Sequence, residues 1–447
     1  METLDGWIAR QYRHSASALM RSVSPVNIVK NRQGFAQTIV PHKGSIVASP
    51  VLGSYDPEPD YFFHWYRDAA VVVEALRVLF EDPDAARNTV VHFADFVRFS
   101  LSLQELDGRP LSESTEWRGA VALDFRKFLR GNEDLASVHG DAVWGETRVN
   151  PDGTLDISSW PRPQNDGPAL RALTLLRWLQ HVGSDTELSL AVGALLQADL
   201  RFTRAHWRES CFDIWEEEKG RHYYTLRVAA AALEGGAGWF AQQGDGPAAA
   251  ACRADALQIL GALDGYWRED LRFYRSRVLD GNAVSAKELD ISVIMAALHS
   301  AASGETHSVR DPRMHATLAR LEALFDAEYA INQTRAANRA PAMGRYAQDV
   351  YFSGGAYYFS TLAAAEFCFR AAACDPSATG LPETQALFEH GDAFLETVRA
   401  FTPPSGELSE QFDQRSGEQK SAQQLAWSYA AFITCAAARR EAIRSRT

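Results

Sequence analysis

Residues 159–171 read Ser-Trp-Pro-Arg-Pro-Gln-Asn-Asp-Gly-Pro-Ala-Leu-Arg. An aromatic plate, two arginines, amides and a carboxylate crowd into a turn that leads into a helix pattern. Such groups hold a sugar ring: aromatics stack on its apolar face, and charged and amide groups orient its hydroxyls. Three more clusters share this character, at 61–68, 212–220 and 409–429. Together they point to carbohydrate cleavage. Inverting glycoside hydrolysis needs two carboxyl groups, one to protonate the leaving oxygen and one to activate water, roughly 6.5–9.5 Å apart.

The run Phe212-Asp213-Ile214-Trp215-Glu216-Glu217-Glu218 supplies the first candidate. Three adjacent glutamates repel, so partial burial would raise one pKa, as a general acid requires. Trp215 and the nearby Tyr223-Tyr224 offer apolar surroundings; a solvated acidic turn is the alternative. Glu410, in Ser409-Glu410-Gln411-Phe412-Asp413, is the second candidate. A base should stay ionised and reach water; an ordinary loop carboxylate is the plainer reading. In Tyr61-Phe62-Phe63-His64-Trp65-Tyr66-Arg67-Asp68, Tyr61 or Trp65 could stack a sugar while Arg67 and Asp68 clamp its hydroxyls. Asp68 could equally be a first-turn or capping residue, and His64 is expected to pack rather than titrate. Arg345, beside Tyr346 in a long loop, could hold a second sugar or make a surface salt bridge.

These groups need a frame. Helical periodicity dominates, with helices expected at 3–22, 68–82, 86–106, 167–183, 185–208, 223–242, 247–267, 289–303, 312–330, 354–374, 383–401 and 421–443. Long segments rich in Gly, Pro and Trp separate them at 23–67, 107–166, 209–222, 268–288, 331–353 and 402–420. Twelve helices with six long loops predict an all-α fold, a closed (α/α)6 barrel of helical hairpins. Its loops would gather into a pocket at one end. Short strands are expected only around 35–40 and 45–48. The 447 residues are read as a single domain.

Composition sets bounds. A net charge of −12 argues against nucleic-acid binding through a basic surface. No run of 18 apolar residues suggests a membrane span, and the N-terminus shows no secretory signal, so a cytoplasmic location is expected. The five cysteines form no CxxC pair and are expected to be buried thiols, neither disulfide framework nor zinc site. No metal motif is visible, and no cofactor is expected. Oligomeric state is left open.

Taken together, the motifs at 61–68, 162–171, 212–217, 410–413, 417–419 and 426–430 resemble the glucoamylases of glycoside hydrolase family fifteen. The resemblance runs from Gly44 to Ala430. It implies the (α/α)6 barrel and release of single glucose units from non-reducing ends with inversion. It implies Glu216 as general acid and Glu410 as general base. Tyr61, Trp65, Arg67, Asp68 and Trp160 would hold the glucose at the cleavage site, and Glu217 and Arg345 the next sugar. Asp213 matches an acidic residue near the acid; Trp215 and Trp427 complete the expected binding set. The chain departs from the fungal pattern at Ala347, Gln348 and 352–357, on the leaving-sugar side. No starch-binding or β-sandwich module is apparent, so short malto- or isomalto-oligosaccharides are the expected substrates. An α,α-trehalase or glucodextranase on the same scaffold, and a non-catalytic sugar-binding protein, are the alternatives.

Overall fold

The computed structural model describes residues 2–53, 58–82, 89–183, 186–301, 304–374 and 383–446. Twelve long helices organise these residues: α1 (Leu4–Leu19), α2 (Tyr66–Glu81), α3 (Thr89–Ser102), α4 (Asp166–Trp178), α5 (Thr186–His206), α6 (Tyr223–Gln242), α7 (Gly246–Asp264), α8 (Ser292–Ser300), α9 (Pro312–Glu328), α10 (Tyr358–Ala372), α11 (Thr384–Phe401) and α12 (Ala426–Arg444). Each falls on one of the twelve expected helices. The expected starts at 86 and 185 and the expected end at 303 lie at or beyond the edge of the described residues.

The even-numbered helices close a ring: α2 packs on α4, α4 on α6, α6 on α8, α8 on α10, α10 on α12, and α12 on α2. The odd-numbered helices pack outside it, α1 on α12, α3 on α2 and α5, α5 on α4 and α6, α7 on α6, α9 on α8 and α11 on α10. This is the expected (α/α)6 barrel. Burial follows the two roles. Of the inner α10, only Arg370 is not buried. The outer α1 buries one face, through Trp7, Ile8, Gln11, Tyr12, Ser15, Ala18 and Leu19. Small residues let the layers approach. A Cβ on Gly236 of α6 would come within 2.6 Å of Leu200 of α5.

Local signals fix several helix ends. Thr3 caps α1 by accepting from the Gly6 amide at 3.2 Å. Asp245 and Asp311 do the same for α7 and α9, each followed by a proline inside the first turn, where no amide donor is needed.

The long segments are less irregular than expected. Short helices occupy Arg109–Glu113, Glu116–Ala120 and Asn132–Ser137, and Ala330–Gln333 forms a fourth. Of the two expected strands, Gln37–Ile39 pairs with Lys30–Arg32, whereas 45–48 makes only an isolated bridge from Ile46 to Val23. Three small antiparallel sheets tie down the loops that precede inner helices. Trp65 pairs with Arg148, Phe212 with Lys219, and Tyr357 with Gln411. Among the described residues, no helix is long and apolar enough to cross a membrane. Four of the five cysteines are buried and Cys374 is half-buried; none is in a disulfide.

Candidate active site

Glu216 lies at the tip of the hairpin joining Cys211–Phe212 to Lys219–His222. Its backbone is left-handed (φ 63°), and its amide closes the turn onto the Asp213 carbonyl at 3.0 Å. A left-handed non-glycine residue is held by its surroundings, here by three side-chain donors. The Trp65 indole N–H gives to Glu216 Oε1 at 2.9 Å and Arg67 Nη2 to the same oxygen at 3.2 Å. The Trp160 indole N–H gives to Oε2 at 2.9 Å. The indoles are themselves fixed by Arg148. Its guanidinium lies 3.7 Å from the Trp160 ring centroid and 4.7 Å from that of Trp65.

The adjacent glutamates do not share one site. Glu217 receives Arg345 Nη2 at 3.0 Å, the Tyr346 hydroxyl at 2.5 Å and Lys287 Nζ at 2.6 Å. Glu218 receives Arg277 Nη1 at 2.9 Å and Ser285 Oγ at 2.8 Å. The expectation of mutual repulsion within the run therefore gives way to three carboxylates with separate donors.

Glu410 stands immediately before the Gln411–Phe412 strand. Its amide bonds the Ala422 carbonyl at 2.8 Å, and its carbonyl accepts from the Tyr358 amide at 3.3 Å. The side chain is buried. Oε1 accepts from the Tyr61 hydroxyl at 3.3 Å, and Oε2 from the Ser421 hydroxyl. Burial pushes its pKa up to about 7, against the lowering pull of Ser421, Arg345 and Tyr61. Burial thus opposes the ionised state expected of a base, and the hydroxyls of Ser421 and Tyr61 favour it.

Both carboxyls line one cavity with Tyr61, Trp65, Arg67, Asp68, Trp215, Arg345 and Trp427, joined by Ala48, Ile214, Phe359 and Leu425. Three near-parallel rings form one wall. Phe359 and Trp427 are 4.8 Å apart, and Trp215 lies 6.0 Å from Phe359. The Trp215 N–H is spent on Asp290 at 2.9 Å, so its ring serves the wall. Tyr61 packs on Trp65 at 5.3 Å and links the two ends, its hydroxyl on Glu410 and its neighbour's indole on Glu216.

Arg67 and Asp68 open α2 and pair at 3.0 Å; Trp65 takes the N-cap position, so Asp68 is a first-turn residue and not the cap. Arg67 also receives support from Gln164 Oε1 at 2.9 Å. Burial raises the pKa of Asp68, with Arg67 opposing.

Of the other expected residues, Trp160, Asp213 and Glu217 are not among those lining the cavity. Asp213 does not line the cavity. One oxygen takes the Glu217 amide at 2.8 Å and the other Arg277 at 2.6 Å, so it organises the hairpin that carries Glu216. Glu217 also lies outside the lining, bonded to Arg345, which is part of it. Arg345 makes a buried pair with Asp349 and not the surface bridge that was the alternative. His64 is fully buried, its Nδ1 accepting from the Ile46 amide at 3.0 Å, with its pKa pushed down to about 3 by burial.

Sequence reasoning missed Ser421, Tyr351, Asp349 and Arg148. Tyr351 bonds the Tyr61 hydroxyl at 2.7 Å. Asp349 follows Arg345 by four positions, a spacing that could have flagged it. Nothing in the sequence joins Ser421 to Glu410 or Arg148 to the two indoles.

Comparison with known proteins agrees with this geometry. The sequence model described as "Glycosyl hydrolases family 15" matches residues 139–437, about two thirds of the chain. A probable glucoamylase of Schizosaccharomyces pombe is 29% identical over 438 residues, covering 90% of this chain and 86% of its own. A glucoamylase of Neurospora crassa is also 29% identical, covering 89% of this chain and 63% of its own. The solved Hormoconis resinae glucoamylase superposes with a TM-score of 0.77 at 25% identity, covering 98% of this chain and 74% of that one. The match over two thirds of the sequence, on a barrel whose loops bring two carboxyls to one aromatic pocket, places the chain in glycosyl hydrolases family 15.

Proposed function

We propose that the protein is an exo-acting glucosidase of the glucoamylase type, which releases β-glucose from the non-reducing ends of short malto- or isomalto-oligosaccharides. One observation carries this reading. Glu216 and Glu410 reach the same small cavity from different loops, each held by its own donors, with stacked aromatic rings forming one wall.

In the mechanism, Glu216 is the general acid. It protonates the glycosidic oxygen as the bond breaks and positive charge grows on the sugar ring. Glu410 is the general base and takes a proton from the water that attacks the opposite face. Its pKa near 7 suits it to accept that proton, because a base works best when its pKa lies near the working pH. Arg67 and Asp68 orient sugar hydroxyls, Trp65 and Tyr61 pack on the ring, and Trp160 and Trp65 aim Glu216. Arg345 and Glu217 at the rim meet the leaving sugar.

The test is proton NMR of the anomeric signals during maltose hydrolysis. Prompt β-glucose is the expected result; α-glucose as first product would overturn inversion. Glu216→Gln should lose turnover while still binding glucose. Glu410→Gln should lose turnover with water and form β-glucosyl azide when azide is supplied. Turnover of isomaltose or trehalose without maltose would move the linkage assignment and leave the two carboxyl roles in place.

A further inference from the structure

At the wall of the pocket, one guanidinium faces three carboxylates. Arg67 Nη2 contacts Asp68 at 3.0 Å and Glu216 at 3.2 Å, and Nη1 lies 3.7 Å from Asp166. Asp166 begins α4 and is 1% exposed. Neither of its oxygens accepts a hydrogen bond from another residue. A buried carboxylate without donors is costly, and Asp166 is absent from the lining of the sugar cavity. Asn165 takes the N-cap position of α4, so capping does not require a side-chain acceptor at Asp166.

The other polar groups around it leave the charge imbalance in place. Gln164, which bonds Arg67, is neutral. Tyr224 of α6 passes its hydroxyl to His299 at 2.7 Å, and burial keeps that histidine neutral by lowering its pKa to about 3. The Cys211 thiol, also near Asp166, is pushed up to about 12. So among the described residues no second cation lies within ion-pair distance of Asp166, and Arg67 divides its field among three carboxyls.

This bears on Glu216 as general acid, the assignment made above. Three N–H donors point at Glu216 and favour its ionised form. An acid must instead hold a proton until the glycosidic oxygen arrives. We propose that Asp166 is a positioning residue that keeps Glu216 protonated, by drawing on the charge of Arg67 and adding negative potential behind it. Burial raises the pKa of Asp166 itself to about 6, with Arg67 opposing and Glu216 adding to the rise. It is therefore ionised, and able to act, at neutral pH and above.

The experiment is the pH dependence of maltose hydrolysis by Asp166→Asn, an isosteric change that removes only the charge. Without it, the whole charge of Arg67 bears on Asp68 and Glu216, and Glu216 gives up its proton more readily. The rate on the alkaline side of the optimum should then drop about tenfold, the acidic side should stay within twofold, and the optimum should move acidward with KM unchanged. A uniform loss at every pH, or no change, overturns the proposal. If Asp166→Asn melts early, Asp166→Ser makes the same measurement while retaining a residue suited to a helix start. Glu216→Gln assayed in parallel separates the two ideas. Activity in that variant would sink the acid assignment itself, whatever the Asp166 variants do.

Discussion

Asp349 grips Arg345 through two hydrogen bonds, from Nε at 2.6 Å and from Nη2 at 2.7 Å. Nη2 also reaches Glu217 at 3.0 Å, so a buried fork on one side becomes a contact at the pocket rim on the other. A planar guanidinium can do this; an ammonium cannot. Arg345→Lys is therefore expected to raise KM for maltose about tenfold, the equivalent of about 1.4 kcal/mol, with a smaller change in kcat. Steady-state kinetics check this. A fall in kcat at constant KM would show that Arg345 acts on the chemical step instead.

Ser421 donates to Oε2 of Glu410 and lowers a pKa that burial raises. Removing the hydroxyl in Ser421→Ala raises the Glu410 pKa further. A base works only when ionised, so activity should fall on the acidic side, hold on the alkaline side, and the optimum should shift upward. Because a hydrogen bond to a charged group contributes about 1.5–3 kcal/mol, the shift at Glu410 is expected to be about one unit. A pH–rate profile of kcat/KM decides it.

Asp156 supports the Trp160 loop from below. Its Oδ2 receives Arg148 at 2.9 Å and Arg162 at 3.1 Å, and its Oδ1 the amide and hydroxyl of Ser158 at 2.8 and 2.6 Å. These partners overcome burial and hold its pKa well below the usual carboxylate range. A depressed carboxyl stabilises the fold above its unfolded pKa of about 3.9, and that contribution is lost as pH falls below it. Asp156→Asn should cost about 3–5 kcal/mol at neutral pH by leaving the buried Arg148 guanidinium without its carboxylate, while Arg162 keeps only Glu146. The gap from wild type in urea denaturation should narrow below about pH 4.

Gly344 precedes Arg345 where the chain runs tight against α9. A Cβ there would sit 1.9 Å from the Tyr329 hydroxyl and 2.7 Å from Phe325. Both rings are buried, so neither can swing aside. Gly344→Ala should destabilise by about 1–3 kcal/mol and displace Arg345, raising KM together with the loss of stability. Denaturation and kinetics on the same variant test both parts.

The twelve helices were legible from local signals, namely apolar periodicity and capping residues such as Thr3, Asp245 and Asp311. Alternating long loops led to the barrel. The motifs also led to most of the pocket, because Tyr61, Trp65, Arg67 and Asp68 lie within one short run at the start of α2. Tertiary structure decided what each charge meets. Glu216, Glu217 and Glu218 are identical neighbours in the chain, yet a turn closed on Asp213 sends them to indoles, to Arg345 and to Arg277. Glu410 reads as an ordinary loop carboxylate until burial beside Tyr61 and Ser421 sets its pKa. Asp166 reads as a helix-start residue until Arg67, 99 positions earlier, proves to be its nearest cation. Burial and long-range pairing set proton affinities, and neither is encoded in local spacing.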